Sequence, residues 1–171
     1  MEIQFNESQR FNQWWIYALL IPLLVIAVWA VYQQIILGIP FGDKPVSNTM
    51  LIFTTLAPFG FSVLLIRIFK LETEINEEGF TYRFFPFHLS KKEIKWADVE
   101  KVYTREYRPL WEYGGWGIKG LLSSSGRAYN VSGNKGLQFE LKNGKKVLFG
   151  TLQMEELNTV LAELRKKKII A

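Results

Sequence analysis

Two long stretches without a charged side chain constrain this chain more than any other feature. None occurs from Phe11 to Gly42, and again none from Pro45 to Ile66. Within the first, Trp14–Leu37 would cover roughly 36 Å as a helix, against a hydrocarbon core of about 30 Å. Asn48–Phe69 has similar reach. A backbone amide left unpaired in lipid costs several kcal/mol, so such segments are expected to be helical. Pro22 and Pro58 are tolerable there as kinks. Trp14, Trp15 and Tyr17 suit one membrane interface, Trp29 and Tyr32 the other. The length and purity of both runs argue against buried core helices. Glu2 and Glu7 precede the first run, and no small-residue cleavage site follows it, which argues against a cleaved signal segment.

The connector Gly38–Ser47 holds two glycines and two prolines, so the spans form a hairpin. It carries one lysine, Lys44, whereas Arg67, Lys70, Arg83, Lys91, Lys92 and Lys95 follow the second span. The positive-inside bias then puts the C-terminal part in the cytoplasm, and two spans return the N-terminus to the same side. The expected organisation is a cytosolic tail over residues 1–13, a transmembrane hairpin over 14–69 (spans 14–37 and 48–69), and a cytosolic domain over 70–171.

From Leu71 onward the chemistry changes to 17 basic and 13 acidic side chains. "LETEI" (71–75) alternates Leu71, Thr73 and Ile75 with two glutamates, the period of a half-buried strand. "FTYRFFPF" (80–87) sends Phe80, Tyr82 and Phe84 to one face. Residues 91–107 read as a strand with a phase slip at Ala97–Asp98, predicting a bulge or a corner. "GLLS" (120–123) reads as a strand followed by an "SSG" turn. "RAYNVS" (127–132), "LQFELK" (137–142) and "KKVLFGT" (145–151) complete seven strands. "NG" (143–144) predicts a two-residue hairpin with positive φ at both positions. Leu157, Val160, Leu161 and Leu164 share one helical face near the C-terminus, with Glu155 and Glu156 at its start and Arg165–Lys168 at its end, as the helix dipole favours.

Seven antiparallel strands in a barrel or sandwich, closed by one terminal helix, resemble the pleckstrin-homology-like superfold. Two membrane helices followed by such a domain resemble the bacterial membrane proteins that carry it. The stretch "YGGWGI…AYNVSGNKGLQFEL…GKKVLFGT", Tyr113 to Thr151, resembles a two-span subset of that group. The resemblance implies an α+β membrane protein in the bacterial cytoplasmic membrane. It implies function weakly, because this superfold serves many roles.

Candidate chemistry is sparse. With no cysteine, a thiol nucleophile, a disulfide and a cysteine-ligated metal are excluded. The single histidine, His88, has no acid or nucleophile nearby in sequence and reads as a turn residue. No cofactor, metal or catalytic residue is expected. "GWGIKG" (115–120) matches G-x-G-x-x-G, and Glu140 follows at a suitable distance. A dinucleotide site, however, needs a helix opening at the third glycine, and serines follow instead. Trp116 also stands where the backbone must approach phosphate. The glycines are therefore read as giving room for a strand to bend past Trp116. A net charge of +4 in this region is weak for nucleic-acid binding. "NVS" and "NES" match glycosylation acceptors, which a cytoplasmic location makes accidental.

The usual inositol-phosphate site of the superfold clusters cations on the first hairpin. Here that hairpin reads "EINEEGFTYR", where Glu74, Glu77 and Glu78 repel a phosphate and Arg83 alone attracts one. The more promising surface is "REYRPLWEYGGWG", with Arg105, Tyr107, Arg108, Trp111, Tyr113 and Trp116, and with Arg127 and Tyr129 on the same side. Trp, Tyr and Arg dominate interface energetics. Arg67, Lys70, Arg165, Lys166, Lys167 and Lys168 are candidate contacts for anionic headgroups. The expectation is a non-enzymatic interaction module held at the bilayer. Its partner is another membrane protein or, alternatively, anionic lipid. A lipid-modifying enzyme is the remote alternative.

Overall fold

The computed structural model describes residues 4–120 and 126–170. The chain divides into two compact units: Asn12–Ile68, and Phe69–Ala171 together with Met1–Phe11.

In the first unit, α1 (Trp14–Val31) continues through a π-helical turn (Tyr32–Ile36), and α2 spans Asn48–Ile68. Both are long and apolar enough to cross a membrane, at 23 and 21 residues. They are not core helices. Only Ala27 and Ala30 are buried in α1 and only Leu51 in α2. Three hydroxyls within α2 turn back onto carbonyls one turn earlier: Thr54 donates to Met50 at 2.8 Å, Thr55 to Leu51 at 2.6 Å and Ser62 to Pro58 at 2.8 Å. Such bonds satisfy a hydroxyl on an otherwise apolar surface. The connector is stapled by glutamines. The Gln34 side-chain amide donates to the Val46 carbonyl (2.7 Å) and to Asn48 Oδ1 (2.9 Å), while its Oε1 accepts from the Phe41 N–H.

The second unit is α+β, with two sheets and a C-terminal helix. The first sheet is an antiparallel meander of β1 (Phe5–Arg10), β2 (Lys70–Ile75), β3 (Gly79–Phe85) and β4 (Lys92–Lys95). The second holds β5 (Val99–Glu106), β6 (Gly117–Lys119), β7 (Arg127–Asn130), β8 (Lys135–Leu141) and β9 (Lys146–Gly150), in the order β5-β8-β9-β7-β6. Among the described residues only the β7–β9 pair is parallel. The short helix α3 (Pro109–Tyr113) follows β5, and α4 (Met154–Lys166) follows β9.

The inward face expected for β2 holds. Leu71, Thr73 and Ile75 are all buried, as are Leu137 and Phe139. They meet Phe80, Phe84, Tyr129 and Phe149 in one core, against which α4 sets Leu157, Val160, Leu161 and Leu164. Each fully buried large apolar side chain contributes about 1.5–3 kcal/mol. The rings interlock, with Phe80 at 4.6 Å from Phe149 and Tyr129 stacked on Phe149 at 5.2 Å.

Three expectations need correction, the strand count, the N-terminal tail and the "NG" turn, while the corner foreseen at Ala97–Asp98 is present. Among the described residues there are nine strands, not seven. The phase slip at Ala97–Asp98 is a corner: a 3-10 turn at Trp96–Asp98 divides the expected strand into β4 and β5, which lie in different sheets. Trp96 pins that corner by donating its indole N–H to the Asn76 carbonyl at 2.9 Å. The segment before α1 is not merely a tail. Its residues 5–10 form β1, paired with β2 from Phe5↔Ile75 to Arg10↔Lys70. Finally, only Gly144 of the "NG" pair has positive φ, at 79°. Leu141 pairs with Lys145 around a three-residue loop, and Gly144 donates to the Leu141 carbonyl at 2.8 Å. A turn of this length needs just one left-handed residue. The strand expected at 120–123 and its "SSG" turn fall mostly on residues 121–125, outside the described residues; Gly120 itself is not in a strand.

Candidate interaction surface

The segment Arg105–Gly117 forms a small platform on the outer face of the second sheet. Strand alternation sends Tyr129 and Phe149 into the main core, and Ala128 and Leu148 to the opposite face, where they pack with Tyr107 and Tyr113. The two tyrosine rings meet edge to face at 5.9 Å. The Tyr107 hydroxyl accepts from the Asn130 side-chain amide at 3.0 Å, and burial pushes its pKa up to about 12.

Helix α3 is one closed turn. Pro109 occupies its first position, where no N–H is required. The Arg108 N–H donates to Glu112 Oε1 at 2.7 Å. Gly114 ends the turn in the left-handed region, φ 74°, and donates to the Leu110 carbonyl. Arg105 ties the turn to the sheet. Its guanidinium reaches the Glu112 carboxylate at 2.9 Å, the Tyr113 hydroxyl at 3.0 Å and Gln138 Oε1 at 3.1 Å. Partial burial raises the Glu112 carboxyl pKa, but the Arg108 N–H and the Arg105 guanidinium outweigh it and hold the pKa below the usual range. The carboxylate therefore stays charged where it bonds Arg105. Trp116 is half-buried and donates its indole N–H to the Gly133 carbonyl at 3.0 Å.

The eight residues expected on one surface thus separate by role. Tyr107 and Tyr113 are buried supports, Arg105 is a strut and Trp116 is a half-buried wall. Arg127 and Tyr129 are not part of this surface. Tyr129 is buried in the main core, and Arg127 donates to its hydroxyl at 3.2 Å. What the platform presents outward is Arg108, Leu110 (62% exposed) and Trp111 (87% exposed). They border a shallow open depression of about 290 Å³ that also touches Pro109, Trp116 and Asn134. Leu110 was not singled out from the sequence, although its place beside Trp111 on a proline-started turn was the available signal.

The candidate headgroup contacts are partly committed elsewhere. Arg165 donates to the Val102 carbonyl at 2.9 Å, and Lys167 pairs with Glu77 at 2.6 Å. Lys70 pairs with Glu72, which also holds Arg83 at 2.6 Å. Lys166 and Lys168 are exposed. Arg67 lies in the last turn of α2.

"GWGIKG" enters the short strand β6 at Gly117. A side chain at Gly120 would have its Cβ 2.0 Å from the Gly126 carbonyl oxygen, so this glycine permits a close backbone approach. Glu140 lies in β8, accepting from the Tyr103 hydroxyl at 3.0 Å. His88 is buried behind the turn after β3, edge-on to Tyr82 at 5.6 Å. Among the described residues no group of three or more His, Asp or Glu side chains is placed to hold a metal ion. Comparison with known proteins returns no matching family model and no matching curated protein.

Proposed function

We propose that this chain is a non-enzymatic, membrane-anchored interaction module of the pleckstrin-homology-like kind, whose α3 platform docks another membrane protein. The observation that carries the reading is the exposure of Leu110 and Trp111 on a turn held by the Arg105 bonds to Glu112, Tyr113 and Gln138. A large aromatic on a pre-organised mount loses little entropy on binding, which is how interface anchors act.

The two long apolar helices, exposed over nearly their whole surface, support anchoring in the bacterial cytoplasmic membrane. So does their place in the chain. They are inserted between β1 and β2, which are paired along their whole length. Pairing requires both strands to lie on one side of a bilayer, and two spans satisfy that. The charge bias of the flanks favours the cytoplasm as that side. The two sheets and packed α4 support the pleckstrin-homology-like assignment, although nine strands are described where the resemblance implies seven. The anionic-lipid alternative draws less support, because Arg165, Lys167 and Lys70 already have partners.

A photo-crosslinking amino acid at Leu110, expressed in native membranes, tests the docking reading. A membrane protein is expected to be captured, and the Trp111→Ala, Arg108→Ala double variant is expected to lose it while keeping its fold. An unchanged set of crosslinks in that variant would refute the assignment.

A further inference from the structure

We infer that the loop between β3 and β4 is a second membrane-contacting element, an apolar tip that sits in the headgroup–acyl boundary. The inference rests on the reading of α1 and α2 as membrane spans. The last residue of β3 and the loop expose Phe85 (37%), Phe87 (62%) and Leu89 (80%), three apolar side chains within five residues. Scattered single apolar residues on a surface need no explanation, but a clustered set does.

Its place in the fold names the occupant. β1 ends at Arg10 and β2 begins at Lys70, opposite each other, and Lys70 pairs in turn with Phe85. The loop therefore lies at the end of the sheet where the chain leaves for α1 and returns from α2. The link is direct. Phe69, the residue after the last of α2, stacks on Phe87 at 5.7 Å and 14°. Phe11, the first residue past β1, meets Phe69 edge to face at 6.0 Å. If Ile68 ends a span, Phe69 lies at the interface, and Phe87 is one stacked ring away. Water alone would leave these side chains solvated at a cost, whereas the interface accepts aromatic rings readily.

The loop is also braced. The His88 N–H donates to the Phe84 carbonyl at 2.9 Å, and Phe87 lies 6.1 Å from the buried Phe84 ring. Lys91 is held by the Glu74 carboxylate at 2.6 Å, and Lys92 beside it is exposed behind the tip, where its ammonium group can meet lipid phosphates.

The native chain has no cysteine, so single cysteines can be introduced cleanly. The full chain, carrying Leu89→Cys, Glu78→Cys or Phe61→Cys with a polarity-sensitive fluorophore, is reconstituted into phosphatidylethanolamine–phosphatidylglycerol vesicles. Lipids bearing a nitroxide near the headgroup end of the acyl chain serve as quenchers. Glu78 is exposed at the far end of β2 and β3, and Phe61 is exposed within α2. The expected result is blue-shifted emission at Leu89, with quenching severalfold above that at Glu78, together with burial of the Phe61 label in lipid. If Phe61 is in lipid but Leu89 behaves like Glu78, the inference fails and the membrane reading stands. If Phe61 is in water, both fail.

Discussion

Glu7 should be one of the residues on which the second unit depends most, although it lies before the first apolar helix. It is 5% exposed, and its carboxylate accepts from the Thr151 hydroxyl at 2.7 Å and from the Leu152 N–H at 2.8 Å. Two residues on, the Gln9 side-chain amide donates to the Gly150 carbonyl at 2.7 Å. These bonds clasp β1 to the end of β9. A hydrogen bond to a charged group is worth about 1.5–3 kcal/mol net, and a buried donor left unpaired costs about 1–3 kcal/mol. Glu7→Ala removes the acceptor of two bonds but also relieves the desolvation of a buried carboxylate. The net expectation is a loss of about 2–4 kcal/mol. For a domain of this size about 4 °C accompanies each kcal/mol, so the thermal midpoint should fall by about 8–16 °C. Glu7→Gln keeps one carbonyl acceptor but turns an amide toward a donor, so it should fall between Ala and wild type. Thermal unfolding of the detergent-solubilised chain, with amide exchange read at residues 5–10 and 70–75, checks this. A Glu7→Ala midpoint within a degree of wild type, with unchanged protection of 5–10, would show that the clasp carries no stability.

Arg105→Ala should destabilise by about 1–3 kcal/mol, since it strips charge-assisted bonds from Glu112 and Tyr113. Faster amide exchange across 109–113 is the readout, and Arg105→Lys should not restore protection, because one ammonium cannot span three acceptors. His88 makes a pH prediction. Burial, then Lys92 and Arg127, lower its pKa below the ordinary 6.5, and the neutral rings of Tyr82 and Tyr129 pack against it. The unfolded chain therefore takes up a proton at higher pH than the folded one. The stability in question is complete above the unfolded value and is lost as pH falls from about 6.5 through the folded pKa. Unfolding midpoints measured across that interval should drop more in wild type than in His88→Gln, and parallel curves would count against it.

The parts of the fold that were legible in sequence are those whose signal is local. The apolar helices, the β2 alternation and the α4 face each show within ten to twenty residues, and each is present. β1 shows why the rest was not. Its inward positions are Phe5, Glu7 and Gln9, so only one of three is apolar. Their burial is possible because Gly150, Thr151 and Leu152 supply polar partners, more than 140 residues away along the chain. No period in hydrophobicity can report that. The platform was legible in composition but not in role. The sequence placed Tyr107, Trp111 and Trp116 within one aromatic segment, and only sheet geometry separates the buried Tyr107 from the exposed Trp111. Nothing in the local pattern of "RAYN" tells that Ala128, not its strand neighbour Tyr129, is the residue that faces the platform.

The position of β1 also bears on how the unit assembles. Most of the first sheet can form by local pairing, since β2, β3 and β4 follow one another with short turns. β1 pairs with β2 only after the whole of residues 12–68 has been made, and it reaches Gly150 and Thr151 only after β9 exists. Closing so long a loop costs little more entropy than closing one half its length, because the cost grows only as the logarithm. On the proposed membrane reading, a hairpin returns the chain to the side it left and makes that closure feasible, whereas a single span would strand β1 across the bilayer from its partner. Converting the two helices to one, by deleting 38–68, should therefore leave β2–β9 and α4 assembled around an open edge at Leu71, Thr73 and Ile75. Protection at residues 70–75 should then fall to that of an edge strand, while protection of β8 stays high. Equal loss across both sheets would mean that β1 is needed for the whole core rather than added last.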